Sequence, residues 1–348
     1  MIGFLIYSLG GGGAERAVSN LANELAGRGE IVYIYIFDDT RKIAYDLNPS
    51  ITVRICAVPS GHGLIYRMWH KIHSLRKMLR EDSITVLLAF TVPMIPYALQ
   101  ARLRNCKVIG AERTNPMLYS VKECFIVKFL SPLCDGFIFQ TVGAKAHYPH
   151  CVQNRAAVIA NPVFPVTRRR EKIPGIQICA AGRKEVNKDF STLLKAFSIF
   201  NKEYQDANLT IFGDKELEDS LRGEVNELKL QSKVCFQGFV KNLPEELSAY
   251  TMFVFSSKAE GMPNVLMEAM SAGLPCVATD CKYGPGELIQ NYVNGILVEV
   301  GNASEMAEAM KFILKQGKAK EFGKEAEKIA EIYHISKIAD RYLEYIMS

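Results

Sequence analysis

The chain has 348 residues, 49% of them hydrophobic and 23% charged, with a formal net charge of +5. That length exceeds one ordinary core and predicts two domains of roughly 150–180 residues each. The composition is that of a soluble globular enzyme, and no segment reaches the ~18 unbroken apolar residues that a membrane-spanning helix needs.

The opening MIGFLIYSLGGGGAER has no basic segment before its short apolar run, so it reads as a first β-strand and not as a signal peptide. Nine cysteines, an odd number without a CxxC pair, suit a reducing cytosol and argue against a disulfide framework. His147, His150 and Cys151 form a small cluster of metal-ligand type, but no second pair at metal-site spacing follows, so no metal is expected. Charge is unevenly spread. Residues 1–165 hold 18 Lys/Arg against 11 Asp/Glu, and residues 166–348 hold 24 against 26. A basic first half implies an anionic partner: nucleic acid, a membrane surface or a phosphorylated acceptor.

Apolar, β-branched runs at 2–7, 31–37, 53–58, 85–89, 107–110, 136–140 and 157–160 predict strands, with amphipathic helices between them at 14–26 and 65–79. The second half repeats the rhythm. Runs at 176–180, 208–212, 234–236, 252–256 and 275–278 alternate with helical stretches at 190–203, 216–228, 244–249, 265–272 and 304–316. This alternation predicts an α/β protein of two doubly wound parallel sheets covered by helices on both faces. The expected first domain is 1–163. Asn161-Pro162-Val163-Phe164-Pro165 stiffens the join, and basic residues 168–172 read as an exposed linker. The second domain is expected over 164–328, and one long charged helix, about 321–346, is expected to carry residues 329–348 back onto the first domain. Ligands of open α/β sheets bind beyond the carboxyl ends of the strands, so motifs at those positions draw interest.

In chain order, Gly10, Gly11, Gly12 and Gly13 follow the first strand, and a helix starts at Ala14-Glu15-Arg16. Two readings fit: a backbone that lets an anion approach the helix start, or a tight turn. The spacing is not GxGxxG, and only Asp38 and Asp39 are placed as ribose acids. Residues 64–80, LIYRMWHKIHSLRKMLR, align Leu64, Ile65, Met68, Trp69, Ile72, Leu75, Met78 and Leu79 on one face among basic residues. A membrane-surface helix and a core-facing helix with a solvated basic side both have this pattern. After the 107–110 strand, Glu112 and Arg113 stand in GAERTNP, where Glu112 suits a base toward an incoming hydroxyl or an ion pair with Arg113 or Arg16.

In the second half, Gly182, Arg183 and Lys188 follow the first strand. Arg183 offers a planar fork and Lys188 a point charge for a diphosphate, unless both are ordinary solvated cations. Gly213 closes the next strand, and Gly238, Phe239 and Val240 end another where a base edge fits. The most informative stretch is SSKAEGMPNVLMEAMSAGLPCVATD. Glu260 and Glu268 flank a helix start, separated by Gly261, Met262 and Pro263, with Asn264 and Val265 opening the helix. First-turn N–H groups can hold a phosphate while carboxylates accept bonds from sugar hydroxyls. Farther on, Gly284, Gly286 and Glu287 form a loop before a short helix, with capping as the plain reading of Glu287.

Together these motifs resemble the GT-B glycosyltransferases of family 4 (group 1): GAER near the start, NPV at the join, GR followed by a lysine, GFV, and SSxxEGxPxxxxEAxxxGxPxVxTD. The resemblance covers nearly the whole chain and implies two Rossmann-like domains facing a central cleft. It assigns Glu260 to the donor sugar and Glu268 to the ribose. Arg183 and Lys188 take the diphosphate, with the N–H groups of Asn264 and Val265 and the Gly11, Gly12, Gly13 loop. Val240 takes the base. Many members of the family that the chain resembles carry a histidine in the first-domain loop where this chain has Arg113 within ERTNP. With no DxD motif at a strand end, the resemblance implies retaining chemistry without a metal or other cofactor. The expected donor is a nucleotide sugar, UDP-linked, and the expected acceptor a lipid-linked oligosaccharide at the cytoplasmic face of an anionic membrane. An epimerase or phosphorylase on the same plan and a non-catalytic nucleotide-sugar-binding subunit are the rival readings. No basic-aromatic platform supports nucleic acid binding.

Overall fold

A computed structural model describes residues 1–10, 12–38, 40, 43–56 and 63–348. The chain forms two compact units, one of Met1–Pro162 with Ile335–Ser348 and the other of Val163–His334.

In the first unit, seven parallel strands lie in the order β3-β2-β1-β4-β5-β6-β7. They are β1 (Ile2–Ile6), β2 (Val32–Ile36), β3 (Thr52–Ile55), β4 (Val86–Ala89), β5 (Lys107–Ala111), β6 (Gly136–Phe139) and β7 (Ala156–Val158). Every residue of β1 is buried, because helices cover both faces of the sheet. Leu5, Tyr35, Leu87 and Phe137 meet Leu75 and Leu79 of α2 (Leu64–Glu81), Ala98 of α3 (Ile95–Ala101) and Val127 in one cluster. Val127 belongs to a π-helical turn, Ile126–Leu130, that continues α4 (Val121–Phe125). The alternate residues Phe4, Ile34 and Leu88 face the other way, toward α1 (Gly13–Gly27) with its buried Val18, Leu21 and Leu25. Short helices α5 (Val142–Ala146) and α6 (His150–Gln153) lead into β7.

The second unit has six parallel strands in the order β10-β9-β8-β11-β12-β13. These are β8 (Gln177–Ala181), β9 (Asn208–Phe212), β10 (Val234–Gln237), β11 (Met252–Phe255), β12 (Cys276–Thr279) and β13 (Gly295–Val298). Ile178, Leu209 and Val254 pack against Phe197 of α7 (Phe190–Asn201), Leu217 of α8 (Lys215–Glu227) and Met310 of a later helix. Helices α9 (Leu243–Leu247), α10 (Asn264–Ser271), α11 (Pro285–Leu288), α12 (Ala303–Lys315), α13 (Ala319–Glu327) and α14 (Ile329–Ile332) complete it. The edge strand β13 was not expected. Its Gly-Ile-Leu-Val run is too short to show a period, and pairing with β12 creates it.

One expectation is corrected. The single helix over 321–346 is three: α13, α14 and α15 (Ile335–Met347). Val163 N–H donates to Tyr333 O at 2.9 Å, and Val163 bridges His334, so the backbone must leave the helix there. Only α15 returns to the first unit, where it packs on α1 and Phe137 N–H donates to Tyr345 Oη at 2.8 Å. Residues 168–172 are exposed, as expected, and are also stapled to the second unit. Arg169 bonds the Ala272 carbonyl at 3.0 Å and Glu327 at 2.6 Å, and Lys172 Nζ donates to Tyr250 O at 2.6 Å. No helix among the described residues is long and apolar enough to cross a membrane.

Candidate active site

At the carboxyl edge of the second unit's sheet, two loops are bound together. The loop after β8 ends in a 3-10 turn, Val186–Lys188, and Asp189 then takes a left-handed conformation (φ 48°) to open α7. The loop after β11 carries Ser256 to Gly261 alongside it. Ser256 Oγ donates to Lys188 O at 2.9 Å, Lys258 N–H to Asn187 O at 2.6 Å, and Asn187 Nδ2 to Ala259 O at 3.1 Å. Lys258 Nζ lies 3.2 Å from the Asp189 carboxylate, and Thr279 Oγ1 from β12 donates to Ser257 O at 2.5 Å.

This lacing presents Lys188 and Glu260 to each other. Lys188 Nζ donates to Glu260 Oε1 at 2.7 Å, and the two side chains keep 15% and 11% of their surface exposed. A charge-assisted bond so shielded is much stronger than a surface pair. Arg183, expected beside Lys188, is not brought to it. Its side chain is exposed and bonds Glu185 at 2.9 Å.

Gly261, Met262 and Pro263 lead from Glu260 into α10. Pro263 is the cap residue and has no N–H, and Leu266 and Met267 are the donors that close onto its carbonyl. Helix geometry therefore leaves the N–H groups of Asn264 and Val265 outside the ladder of α10. Glu268, one turn on, is half-buried. Gly284 fixes the wall opposite. It has φ 76°, and a Cβ there would strike the Gly261 carbonyl and reach Pro263 Cδ at 2.5 Å, so no other residue fits without moving the 261–263 segment.

Gly182 and Gly213 continue the ladder past β8 and β9: Gly182 N–H donates to Phe212 O and Gly213 N–H to Gln237 O, both at 3.0 Å. A Cβ on Gly213 would lie 2.7 Å from the Gly182 carbonyl. Beside it, a cavity of about 120 Å³ is lined by Gly213, Asp214, Lys215, Phe236, Gln237 and Gly238 among others. Val240 is half-buried just beyond, whereas Phe239 is 91% exposed and does not line that cavity.

The first unit has its own polar cluster past β5. Glu112 is buried. Its Oε1 accepts from Thr114 N–H at 2.6 Å and its Oε2 from Tyr148 Oη at 2.5 Å. Burial lifts its carboxyl to about 7, against the pull of those donors and of Arg113. Arg113 stacks 4.1 Å over the Phe90 ring, donates to Asn161 Oδ1 at 3.0 Å and bonds Tyr342 Oη from α15. Burial lowers it to about 9. Both side chains thus have internal partners, although Arg113 Nε is buried without one among the described residues. At the glycine loop, Gly12 N–H is taken by Tyr45 Oη at 3.0 Å, and the Glu15 carboxylate lies against Gly12. Gly13 is the first residue of α1; Gly11 and Asp39 lie outside the described residues. Among the described residues no three His, Cys, Asp or Glu side chains are grouped to hold a metal ion.

Sequence reasoning missed the residues that build these sites: Asn187, Asp189, Ser256 and Thr279 in one unit, and Tyr45, Tyr148 and Tyr342 in the other. Ser256 and Thr279 stand inside the quoted motif, but their partners are set by the strand order, which spacing does not reveal.

Two family models match the chain, Glycosyltransferase Family 4 over residues 11–165 and Glycosyl transferases group 1 over residues 167–329. The chain belongs to this family. It is a glycosyltransferase with the GT-B fold. It is 28% identical over 371 residues to the N-acetylgalactosamine-N,N'-diacetylbacillosaminyl-diphospho-undecaprenol 4-alpha-N-acetylgalactosaminyltransferase of Campylobacter jejuni, with 99% of each chain covered. It is also similar to that organism's GalNAc-alpha-(1->4)-GalNAc-alpha-(1->3)-diNAcBac-PP-undecaprenol alpha-1,4-N-acetyl-D-galactosaminyltransferase, at 25% identity with 99% and 98% covered. Among solved structures, Anabaena Alr3699/HepE in complex with UDP and glucose superposes with a TM-score of 0.84 at 18% identity, covering 100% and 99% of the two chains, which shows the shared fold.

Proposed function

We propose that this glycosyltransferase moves a hexose or N-acetylhexosamine from a UDP-sugar to a hydroxyl of a lipid-linked oligosaccharide in surface-glycan assembly. The reaction retains anomeric configuration and needs no metal. The Lys188–Glu260 pair carries this reading: a cation and a carboxylate, shielded and 2.7 Å apart, stand at a strand edge beside a helix start. Lys188 stabilises the negative charge that grows on the departing diphosphate, the work a divalent cation does elsewhere. Glu260 accepts bonds from the sugar hydroxyls, and the first-turn N–H groups of α10 take phosphate oxygens. Exposed Arg183 joins the diphosphate by leaving Glu185, a screened surface partner. Glu268 takes the ribose, and the cavity at Gly213 and Gly238 takes the base, with Val240 beside it.

In the front-face scheme, the bond from the anomeric carbon to the phosphate oxygen breaks on the side where the acceptor oxygen bonds, and the acceptor's proton passes to that phosphate oxygen. Glu112 and Arg113 then shape the acceptor-side loop without exchanging protons. The relatives named for undecaprenol-diphosphate substrates support a lipid-linked acceptor, and with such an acceptor the enzyme works at the cytoplasmic membrane face in this reading.

A panel of UDP-, GDP- and ADP-sugars, each incubated with a diphosphoprenyl oligosaccharide with and without EDTA, tests the reading. One UDP-sugar is expected to give an α-linked product by NMR, unchanged by EDTA. Inverted product, loss of activity with EDTA, or donor conversion without acceptor overturns the corresponding part.

A further inference from the structure

One surface of the first unit is apolar in two separate places. Helix α2 buries Leu75 and Leu79 against the core, whereas its first turns expose Leu64, Ile65, Met68 and Trp69, with Ile65 at 85%. The amphipathic pattern of 64–80 therefore has two functions along its length: its second half is a core helix, and its first half presents the same stripe to solvent. The second place lies 40 residues or more along the chain. Met117, Leu118, Val121, Phe125, Phe129 and Leu133 are all exposed, with Val121 at 88%. Val121, Phe125 and Phe129 recur every fourth residue, and the Phe125 and Phe129 rings sit 4.9 Å apart.

These two places border one layer. Helix α2 and the π-helical turn at 126–130 both pack against α3, on the same face of the sheet. Cations surround both. Arg67, Arg76, Lys77 and Arg80 are exposed on α2, where Glu81 is the lone acid, and Lys122 and Lys128 are exposed beside the second patch. Lys128 Nζ lies 5.4 Å from the centre of the Phe129 ring, its stem along apolar surface and its charge outward. Glu123, the one acid of residues 117–133, is closed onto Ser120 in a capping box. Apolar side chains fringed by cations, with acids few or paired, match an anionic lipid headgroup layer over an acyl interior.

We propose that residues 117–133 are a second bilayer-insertion element which, together with the first half of α2, docks this glycosyltransferase on an anionic membrane at two points. The inference rests on the reading that the acceptor is lipid-linked. Two weak contacts on one rigid unit multiply, because the second forms at high effective concentration once the first is made.

Sedimentation with phosphatidylglycerol-containing vesicles free of any glycolipid tests this apart from transfer. The single tryptophan, Trp69, reports on α2 by its emission shift. The double variant Phe125→Glu/Phe129→Glu, whose changes lie on exposed positions, is expected to bind vesicles at least ~10-fold more weakly. Lys122→Gln/Lys128→Gln is expected to weaken binding in a salt-dependent way, and both variants should keep wild-type transfer to a short-chain, water-soluble acceptor. Vesicle affinity unchanged by Phe125→Glu/Phe129→Glu overturns the proposal. So does a shift from dimer to monomer in that variant by analytical ultracentrifugation, which assigns the patch to a second copy. Intact vesicle binding without transfer to any acceptor instead removes the functional reading and leaves the docking surface standing.

Discussion

Replacing Lys188 by Met separates a structural ion pair from a catalytic one. At 2.7 Å and an effective dielectric of ~20, the attraction between Lys188 and Glu260 is about 6 kcal/mol before desolvation is charged against it. The side chains are 15% and 11% exposed, so most of that desolvation is incurred on folding. Removing the lysine leaves a carboxylate with little water and no partner. Breaking a fully buried pair costs ~3–5 kcal/mol; partial exposure reduces the expectation here to about 2 kcal/mol for Lys188→Met or Glu260→Gln. For a unit of this size that is a fall of roughly 4–8 °C in Tm. The double variant removes both charges together and should recover most of the summed loss of about 4 kcal/mol, a coupling of about 3 kcal/mol in a thermal-unfolding cycle. Activity is expected to behave differently. Loss of a charge that stabilises a leaving group costs ~10²–10³ in kcat, and restored packing does not return it, so the double variant should be stable and inactive. If the double variant regains transfer, the pair is structural and the site assignment fails. If the single variants lose under ~0.5 kcal/mol and keep transfer, the pair is neither.

Glu112 gives a pH signature. Its folded value, raised from 4.5 to about 7 chiefly by burial, means the folded chain holds a proton that the unfolded chain has released between those pH values. Stability should therefore fall by about 3 kcal/mol as pH rises through that window and level off above it; Glu112→Gln should flatten the profile, and an identical slope in the variant refutes the assignment. Gly284→Ala should cost ~1–3 kcal/mol in Tm measurements through its positive φ and its contact with the Gly261 carbonyl. Donor KM should rise more than kcat falls, since the displaced 261–263 segment joins Glu260 to the start of α10; an unaffected KM would detach the 280–287 loop from donor binding.

The alternation of strands and helices was legible because buried parallel strands are apolar on both faces and are punctuated where the chain turns. The positions of Glu260 before a helix and Glu268 inside it were legible because Gly261 and Pro263 mark a chain turning into a helix. The Lys188 neighbourhood was legible only as a list of cations. Which of Arg183 and Lys188 meets Glu260 depends on Asp189 adopting a left-handed backbone and on Ser256 holding the Lys188 carbonyl, and neither is a pattern in sequence. The break between α14 and α15 was hidden for a similar reason, because a backbone bond from Val163, 170 residues earlier, decides it. In the 64–80 helix the amphipathic stripe was visible, but whether it packs or projects changes half-way along, and only the burial of Leu75 and Leu79 shows where.

Arg113 shows how far a family position constrains chemistry. The family resemblance implies a histidine there, a group that titrates near neutrality and suits proton transfer. Arginine titrates far higher, and even the lowering to about 9 caused by burial leaves it charged at pH 7. Its charge is met by the Phe90 ring, Asn161 and Tyr342, which come from the end of β4, the inter-unit join and α15. Those three segments are distant in sequence, so Arg113 acts as a tie among them and holds the ERTNP loop in one shape. The neighbouring carboxylate fits the same role, since both Glu112 oxygens are taken by Thr114 and Tyr148. On the proposed reading, a loop fixed by buried charges in this way supplies position and not protons. Under the proposed mechanism the acceptor's proton then goes to the departing phosphate, and the shielded Lys188 charge, not a base on the first unit, is the group on which the rate is expected to depend.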